Sequence, residues 1–245
     1  MRELERRLDV ALFEKVGRRQ VLTPVGEELE HFAHSILAQT EGFSGRLEAL
    51  QRGEAGRLRV GMVDAACLYV MPGALRRFRE ESPKVELELT VDTSGVLLAK
   101  LRDFDLDVAI VVGPVESDDV QARPVVAEPM HIYRPEGASR KPQDARWLLY
   151  PAKSHTRRLI NDALGREGLV PRIVMEGNNP AVLRQMVAMG LGWSVLPEAV
   201  VAADPDGLER HQKKPLVHRE LVAVCRADAP PDMRVDRLLE LAKAA

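Results

Sequence analysis

The apolar positions of the chain change period along its length, and each change marks a different kind of element. From Met1 to Val10, Leu4 and Leu8 stand four apart among charged residues, the pattern of the tail of an amphipathic helix. Leu12 to Leu22 holds two short apolar stretches around Gly17-Arg18-Arg19, which predicts a small β-hairpin with basic residues at or beside its tip. Thr23-Pro24 then offers an N-cap and a first-turn proline, with Glu27 and Glu28 placed well for the helix dipole. A long helix is expected from there to Arg52-Gly53-Glu54-Ala55-Gly56. Its apolar residues, Val25, Leu29, Phe32, Ala33, Ile36, Leu37, Phe43, Leu47 and Leu50, follow mixed steps of three and four. One helix cannot bury such a stripe on itself. A self-association seam is the physical reading, and packing against the rest of the same chain is the alternative.

Beyond Gly56 the pattern alternates. Leu58 to Val63 reads as a strand, Leu68 to Glu81 as a helix and Val85 to Val91 as a strand of period two. Val96 to Arg102 follows as a helix and Leu106 to Val112 as a buried strand. That order implies a parallel α/β sheet. The series restarts with strands at Met130–Tyr133 and Trp147–Tyr150, a helix from Thr156 to Glu167, a strand at Arg172–Met175, a helix from Ala181 to Met189 and a strand at Trp193–Leu196. Two α/β lobes of similar plan fit this better than one. A late strand, Glu220–Cys225, and a closing helix, Arg234–Lys243, belong to neither series by order alone.

The 245 residues are 45% hydrophobic and 29% charged, with 35 Lys+Arg against 37 Asp+Glu for a net charge of -2. That balance excludes a whole-surface polyanion binder, so any nucleic-acid contact must be local. An aromatic share of 4% leaves little to build a carbohydrate or single-strand stacking platform. Two cysteines far apart, Cys67 and Cys225, make neither a disulfide framework nor a zinc site, and a cytoplasmic, cofactor-free and metal-free protein is expected. The charged start lacks the apolar core of a signal peptide, and no run approaches the about 18 apolar residues of a membrane span. Nucleotide loops, nucleophile elbows and zinc-protease motifs are absent, so no enzyme is expected. His31 and His34 read as a solvated helix face. Cys67 reads as a small buried thiol more readily than as a redox sensor.

Four short polar turns stand at the carboxyl ends of strands: Asp64-Ala65-Ala66-Cys67, Asp92-Thr93-Ser94, Ser154-His155-Thr156 and Gly177-Asn178-Asn179. Ligands of open α/β sheets bind along that edge, where helix N-termini present free N–H groups. Any one turn is explained as well by capping alone. Four on one edge point to a site for a small polar or anionic ligand.

Several of these runs resemble one family. Leu4-Glu5-Arg6-Arg7, followed by Leu12-Phe13-Glu14, Gly17-Arg18-Arg19 and Leu22-Thr23-Pro24-Val25-Gly26-Glu27, is similar to the end of the recognition helix, the wing and the linker-helix start of LysR-type transcriptional regulators. Gly56-Arg57-Leu58-Arg59-Val60-Gly61 resembles the opening strand of their effector domain. Ser154-His155-Thr156-Arg157 resembles a ligand loop, and Met186 to Pro197, with Gly190-Leu191-Gly192 and Leu196-Pro197, a further signature. The resemblance covers essentially the whole chain.

It implies an α/β, bilobal, periplasmic-binding-protein-like effector domain behind a remnant winged helix-turn-helix and a long linker helix. Residues 1–22 would be the remnant, 23–55 the dimerising helix, 56–129 with 216–245 lobe I, and 130–215 lobe II. Glu220 to Ala245 would thus rejoin the first lobe. Asp64, Ala65, Ala66, Thr93, Ser94, Ser154, Thr156 and Asn178 are the expected effector contacts. Arg6, Arg7, Arg18 and Arg19 are the expected DNA contacts, which position a protein on phosphates without reading sequence. The implied partners are DNA in the full-length form, a small-molecule effector and a second copy through the linker helix, as a dimer or tetramer, with no membrane. Family members carry several tens of residues ahead of Leu4-Glu5, including most of the recognition helix. This chain as written is therefore expected to have little sequence-specific DNA binding. A solute-binding protein of the same fold, or an enzyme using His155 or Asp64 as base, are the competing readings.

Overall fold

The computed structural model describes residues 2–16, 19–52, 55–139 and 141–243. It opens with α1 (Arg2–Leu8) and the hairpin of β1 (Phe13–Val16) and β2 (Arg19–Leu22), paired with Phe13 opposite Leu22 and Val16 opposite Arg19. Thr23 then serves two elements: its hydroxyl accepts the Gly26 N–H at 3.0 Å and donates to the Ala11 carbonyl at 2.7 Å. One side chain thereby caps α2 (Pro24–Arg52) and ties it to the segment between α1 and the hairpin. At 1.5 Å per residue, α2 is roughly 43 Å long. Ala38 is buried on it, whereas Val25, Phe32, Ile36 and Leu37 are exposed, Phe32 to 61% and Leu37 to 60%. The side chains of Phe43, Leu47 and Leu50 lie outside those described.

The first lobe begins with β3 (Gly56–Met62), α3 (Pro72–Glu81), β4 (Val85–Val91), α4 (Ser94–Arg102) and β5 (Val108–Val112). β3 runs parallel to both β4 and β5, with Leu58, Val60 and Met62 fully buried between the layers. The helix expected from Leu68 is split. Residues Ala66–Val70 form a turn of π-helix in which the Met71 N–H reaches back five residues to the Ala66 carbonyl at 2.8 Å. Pro72 then opens α3, since its missing N–H is harmless only in a first turn.

β6 (Val120–Pro135) is a 16-residue strand of which the sequence pattern predicts only Met130–Tyr133. Pro124 and Pro129 remove ladder donors and disguise the first half. It pairs antiparallel with β11 (Val217–Arg226), Val217 opposite Met130 and Arg226 opposite Val120, with a register shift at Leu221/Val222 opposite Pro124. β11 is also antiparallel to β5, so the expected parallel sheet is mixed.

Between these two long strands lie β7 (Arg146–Leu149), α5 (His155–Arg166), β8 (Arg172–Glu176), α6 (Pro180–Ala188), β9 (Ser194–Pro197), α7 (Glu198–Ala202) and β10 (Leu208–Arg210). β7 and β8 pair in parallel, while β9 and β10 join the far half of β6. Gly190 adopts a left-handed φ of 82°, and a Cβ on Gly192 would stand 2.5 Å from the Arg146 carbonyl. Both glycines are thus required by a turn and a close approach.

Two apolar cores result. One gathers Leu58, Met62, Phe78, Ile110 and Leu221, and receives Leu238 and Leu241 of the closing α8 (Met233–Lys243). The other gathers Met130, Tyr133, Trp147, Ile160, Leu183 and Val195. The chain leaves the first core along β6 and returns along β11, so this antiparallel pair is the hinge between lobes.

Candidate functional site

A cavity of about 630 Å³ lies between the lobes. Lobe I supplies Val63, Asp64 and Ala65 from the end of β3 and Asp92 to Gly95 from the β4–α4 turn. Lobe II supplies Tyr150, Lys153 and Ser154 to Thr156 from the β7–α5 loop and the start of α5, with Asn178 before α6 and Pro180 at its start. Of the eight residues expected to contact an effector, seven line this space: Asp64, Ala65, Thr93, Ser94, Ser154, Thr156 and Asn178. Ala66 does not; it is fully buried in the first core.

The four turns do not share one edge as expected: two follow β3 and β4 of the seven-stranded sheet and two follow β7 and β8 of a separate two-stranded sheet, and they meet because the two lobes face each other across the cavity. Ser154 caps α5, its hydroxyl accepting the Arg157 N–H at 3.1 Å. Ser94 holds lobe I, its hydroxyl accepting the Val112 N–H at 3.2 Å and keeping its own proton free to donate. Thr156 is buried at the wall. Asn179 caps α6 with its carbonyl oxygen, accepting from the Ala181 N–H at 2.9 Å, and its Nδ2 donates to Asp64 Oδ2 at 3.1 Å. That bond crosses from lobe II to lobe I.

Sequence reasoning missed the most buried polar wall residues. Arg219, on the hinge strand β11, is 3% exposed and faces its cross-strand partner Glu128 on β6. Its Nε and Nη2 donate to Glu128 Oε2 at 2.9 and 2.6 Å. Burial disfavours the guanidinium charge, but the neighbouring Tyr150 and Glu128 oxygens outweigh it and raise the Arg219 pKa. The Tyr150 hydroxyl is close enough to feel Arg219, yet among the described residues it is buried with no acceptor for its proton. Burial pushes its pKa up to about 12, so it remains a proton donor. Glu128 Oε1 likewise has no partner among the described residues. Nothing in the sequence flagged these residues except their cross-strand register, which exists only after folding.

His155 also lines the cavity, whereas Cys67, Arg6, Arg7 and Arg19 are not among its lining residues. Cys67 is half-buried on the π-turn, and burial followed by the Asp64 charge pushes its pKa up, away from the reactive thiolate. His155 is pushed down by burial and by Arg158. Arg6 and Arg7 are exposed on α1 and share the Glu3 carboxylate at 2.8 and 3.2 Å. Arg19 is exposed on β2, and Arg18 lies outside the described residues. Among the described residues no group of three or more His, Cys, Asp or Glu is placed to hold a metal, and no helix is long and apolar enough to cross a membrane.

Residues 51–245 match the family model of the LysR substrate binding domain. YfeR of Shigella flexneri, described as an HTH-type transcriptional regulator, is 27% identical over 237 residues, covering 92% of this chain and 77% of that protein. The transcriptional dual regulator GltC of Bacillus subtilis is 25% identical over 210 residues, covering 81% and 70%. A full-length OxyR variant from Pseudomonas aeruginosa superposes with a TM-score of 0.73 at 26% identity, covering 99% of this chain and 86% of that one. With four-fifths of its length inside that family model, a bilobal fold in common and regulators as its relatives, the chain belongs to the LysR family of transcriptional regulators.

Proposed function

We propose that this protein is an effector-responsive transcriptional regulator whose cleft between lobes binds a small polar molecule. The observation that carries the reading is a cavity walled by both lobes and reached by a buried arginine on the strand that joins them. Asp64, Ala65, Thr93, Ser94, Ser154, Thr156 and Asn178 are its proposed contacts, extended to Arg219 and Tyr150. A ligand touching both walls stabilises the arrangement of lobes in which both are within reach, and this differential affinity is what transmits binding.

The transmitted change acts on DNA-binding heads held at a spacing by α2. The exposed Phe32, Ile36 and Leu37 support pairing of two such helices as a dimer or, by repetition, a tetramer. Arg6, Arg7, Arg18 and Arg19 are assigned phosphate contacts beside those heads. Residues 1–22 belong to the DNA-binding head, 23–55 to the linker, 56–129 with 216–245 to lobe I, and 130–215 to lobe II. The protein works in the cytoplasm and as a binder without catalysis.

The test is a thermal-shift screen of the purified chain against small carboxylates and amino acids, followed by mass analysis of any stabilising compound after incubation. Stabilisation with the compound recovered intact supports a sensor. Turnover of the compound would make the protein an enzyme, and stabilisation that persists undiminished in Thr156→Ala would remove the cleft as the site.

A further inference from the structure

The walls of the interlobe cavity carry both signs of charge, and from their placement we infer that its ligand is an α-amino acid. The inference rests on the ligand-binding reading of the cleft. It fixes the ligand's two charged groups against different walls.

The carboxylate faces lobe II and the hinge. There the Tyr150 hydroxyl, buried with no acceptor for its proton among the described residues, stands beside the Glu128-paired Arg219 guanidinium, and the N-terminus of α5 presents Thr156 with Lys153 nearby. A donor taken out of water with no acceptor is costly, and a ligand carboxylate supplies the missing acceptor. Helix α5 has 12 residues, long enough for its first turn to favour an anion.

The ammonium faces lobe I. Asp64 and Asp92 close the ends of β3 and β4, and both line the cavity. The hydrogen bonds they accept come from neutral amides, Asn179 Nδ2 at 3.1 Å and the Thr93 N–H at 2.7 Å, and each bond uses one of the two oxygens. Arg219 cannot balance them, because Glu128 already holds it at 2.6 Å. The walls therefore offer two carboxylates against the single ammonium of Lys153. A dianion would set its second charge against Asp64 or Asp92, and a simple amine would leave Tyr150 unanswered. A zwitterion answers both walls. Val63, Leu98, Val112 and Pro180 complete the lining and give the amino-acid side chain an apolar surface.

The experiment compares matched probes on the 245-residue chain. The twenty proteinogenic L-amino acids are screened by thermal shift. Each hit is then titrated calorimetrically beside its deaminated acid and its decarboxylated amine, for example leucine, 4-methylpentanoate and 3-methylbutylamine. At least one amino acid is expected to bind about tenfold to a hundredfold tighter than both counterparts, the range of one lost charge-assisted hydrogen bond. Asp64→Asn and Asp92→Asn should weaken the amino acid by a similar factor without weakening the deaminated acid. The inference is overturned if no amino acid binds, if the deaminated acid binds as tightly as its parent, or if both Asn variants leave the affinity unaltered. Deaminated acids that bind wild type well and Thr156→Ala poorly would overturn the amino-acid class while upholding the cleft. Hits indifferent to Thr156→Ala would overturn both.

Discussion

Arg219 and Glu128 face each other across the hinge strands β11 and β6, joined at 2.6 Å where the chain passes from one core to the other. Both are buried, so their pairing matters through what happens when one partner is lost. Arg219→Met should cost about 3–5 kcal/mol in urea unfolding, because Glu128 is left charged and unpaired. Adding Glu128→Gln should recover part of that loss. A double variant no better than the single one would show that packing, and not charge, sets the cost.

The two hydroxyls of the cleft differ in what they do for the fold. Ser94→Ala removes the acceptor of the Val112 N–H and should cost roughly 1 kcal/mol of stability along with ligand affinity. Thr156→Ala should weaken a cleft ligand about tenfold by losing a hydrogen bond to it. Parallel calorimetry and urea melts separate the two effects, and unchanged affinity in both variants would exclude them as contacts.

Asn179 holds two jobs that a substitution can split. Asn179→Ser keeps a capping oxygen for α6 but is too short to reach Asp64, so helix stability should stay within a few tenths of a kcal/mol. The lobes should separate more freely, seen in small-angle scattering as a larger radius of gyration without ligand. An unaltered scattering curve would mean that the Asn179–Asp64 bond does not hold the lobes together.

Self-association should depend on the exposed face of α2. Phe32→Asp with Leu37→Asp places charges where two apolar side chains stand more than half exposed, and sedimentation should shift toward monomer. Persistence of the oligomer in this variant would place the seam elsewhere.

Acid sensitivity has a defined direction. His131 is buried, and burial, reinforced by Arg210 and opposed by Glu198 and the Gln212 backbone, pushes its pKa below the usual 6.5. His155 and His211 are lowered by burial too, with Arg158 and Arg134 adding to it. Between a depressed folded pKa and 6.5 the unfolded chain binds more protons. Stability is therefore full above about pH 6.5 and falls as pH drops through the folded values. Urea midpoints should decline from pH 7.5 to 5, and His131→Phe should flatten that decline. An unchanged slope would remove His131 from the account.

The hairpin, the capped linker helix and the four polar turns were legible because each is written in adjacent residues: Thr23-Pro24, Asp92-Thr93-Ser94, Ser154-His155-Thr156. The long β6 was not, since Pro124 and Pro129 interrupt the local strand signal while pairing with β11 overrides it. Ala66 looked like a turn residue and is a core residue, because a π-turn rotates it inward. Arg219 and Tyr150 escaped for a deeper reason. Alone, each reads as an ordinary strand residue. Their character comes from Glu128, 91 positions away from Arg219, and from burial that only the assembled lobes create.

A ligand held between the lobes and felt at the hinge should register in hydrogen–deuterium exchange with the compound that stabilises the chain most. Slower exchange is expected at 63–65, 92–98, 150–156 and 178–180 on both walls, together with 126–130 and 217–220 on β6 and β11. Protection confined to one lobe, or to a surface away from these segments, would contradict it.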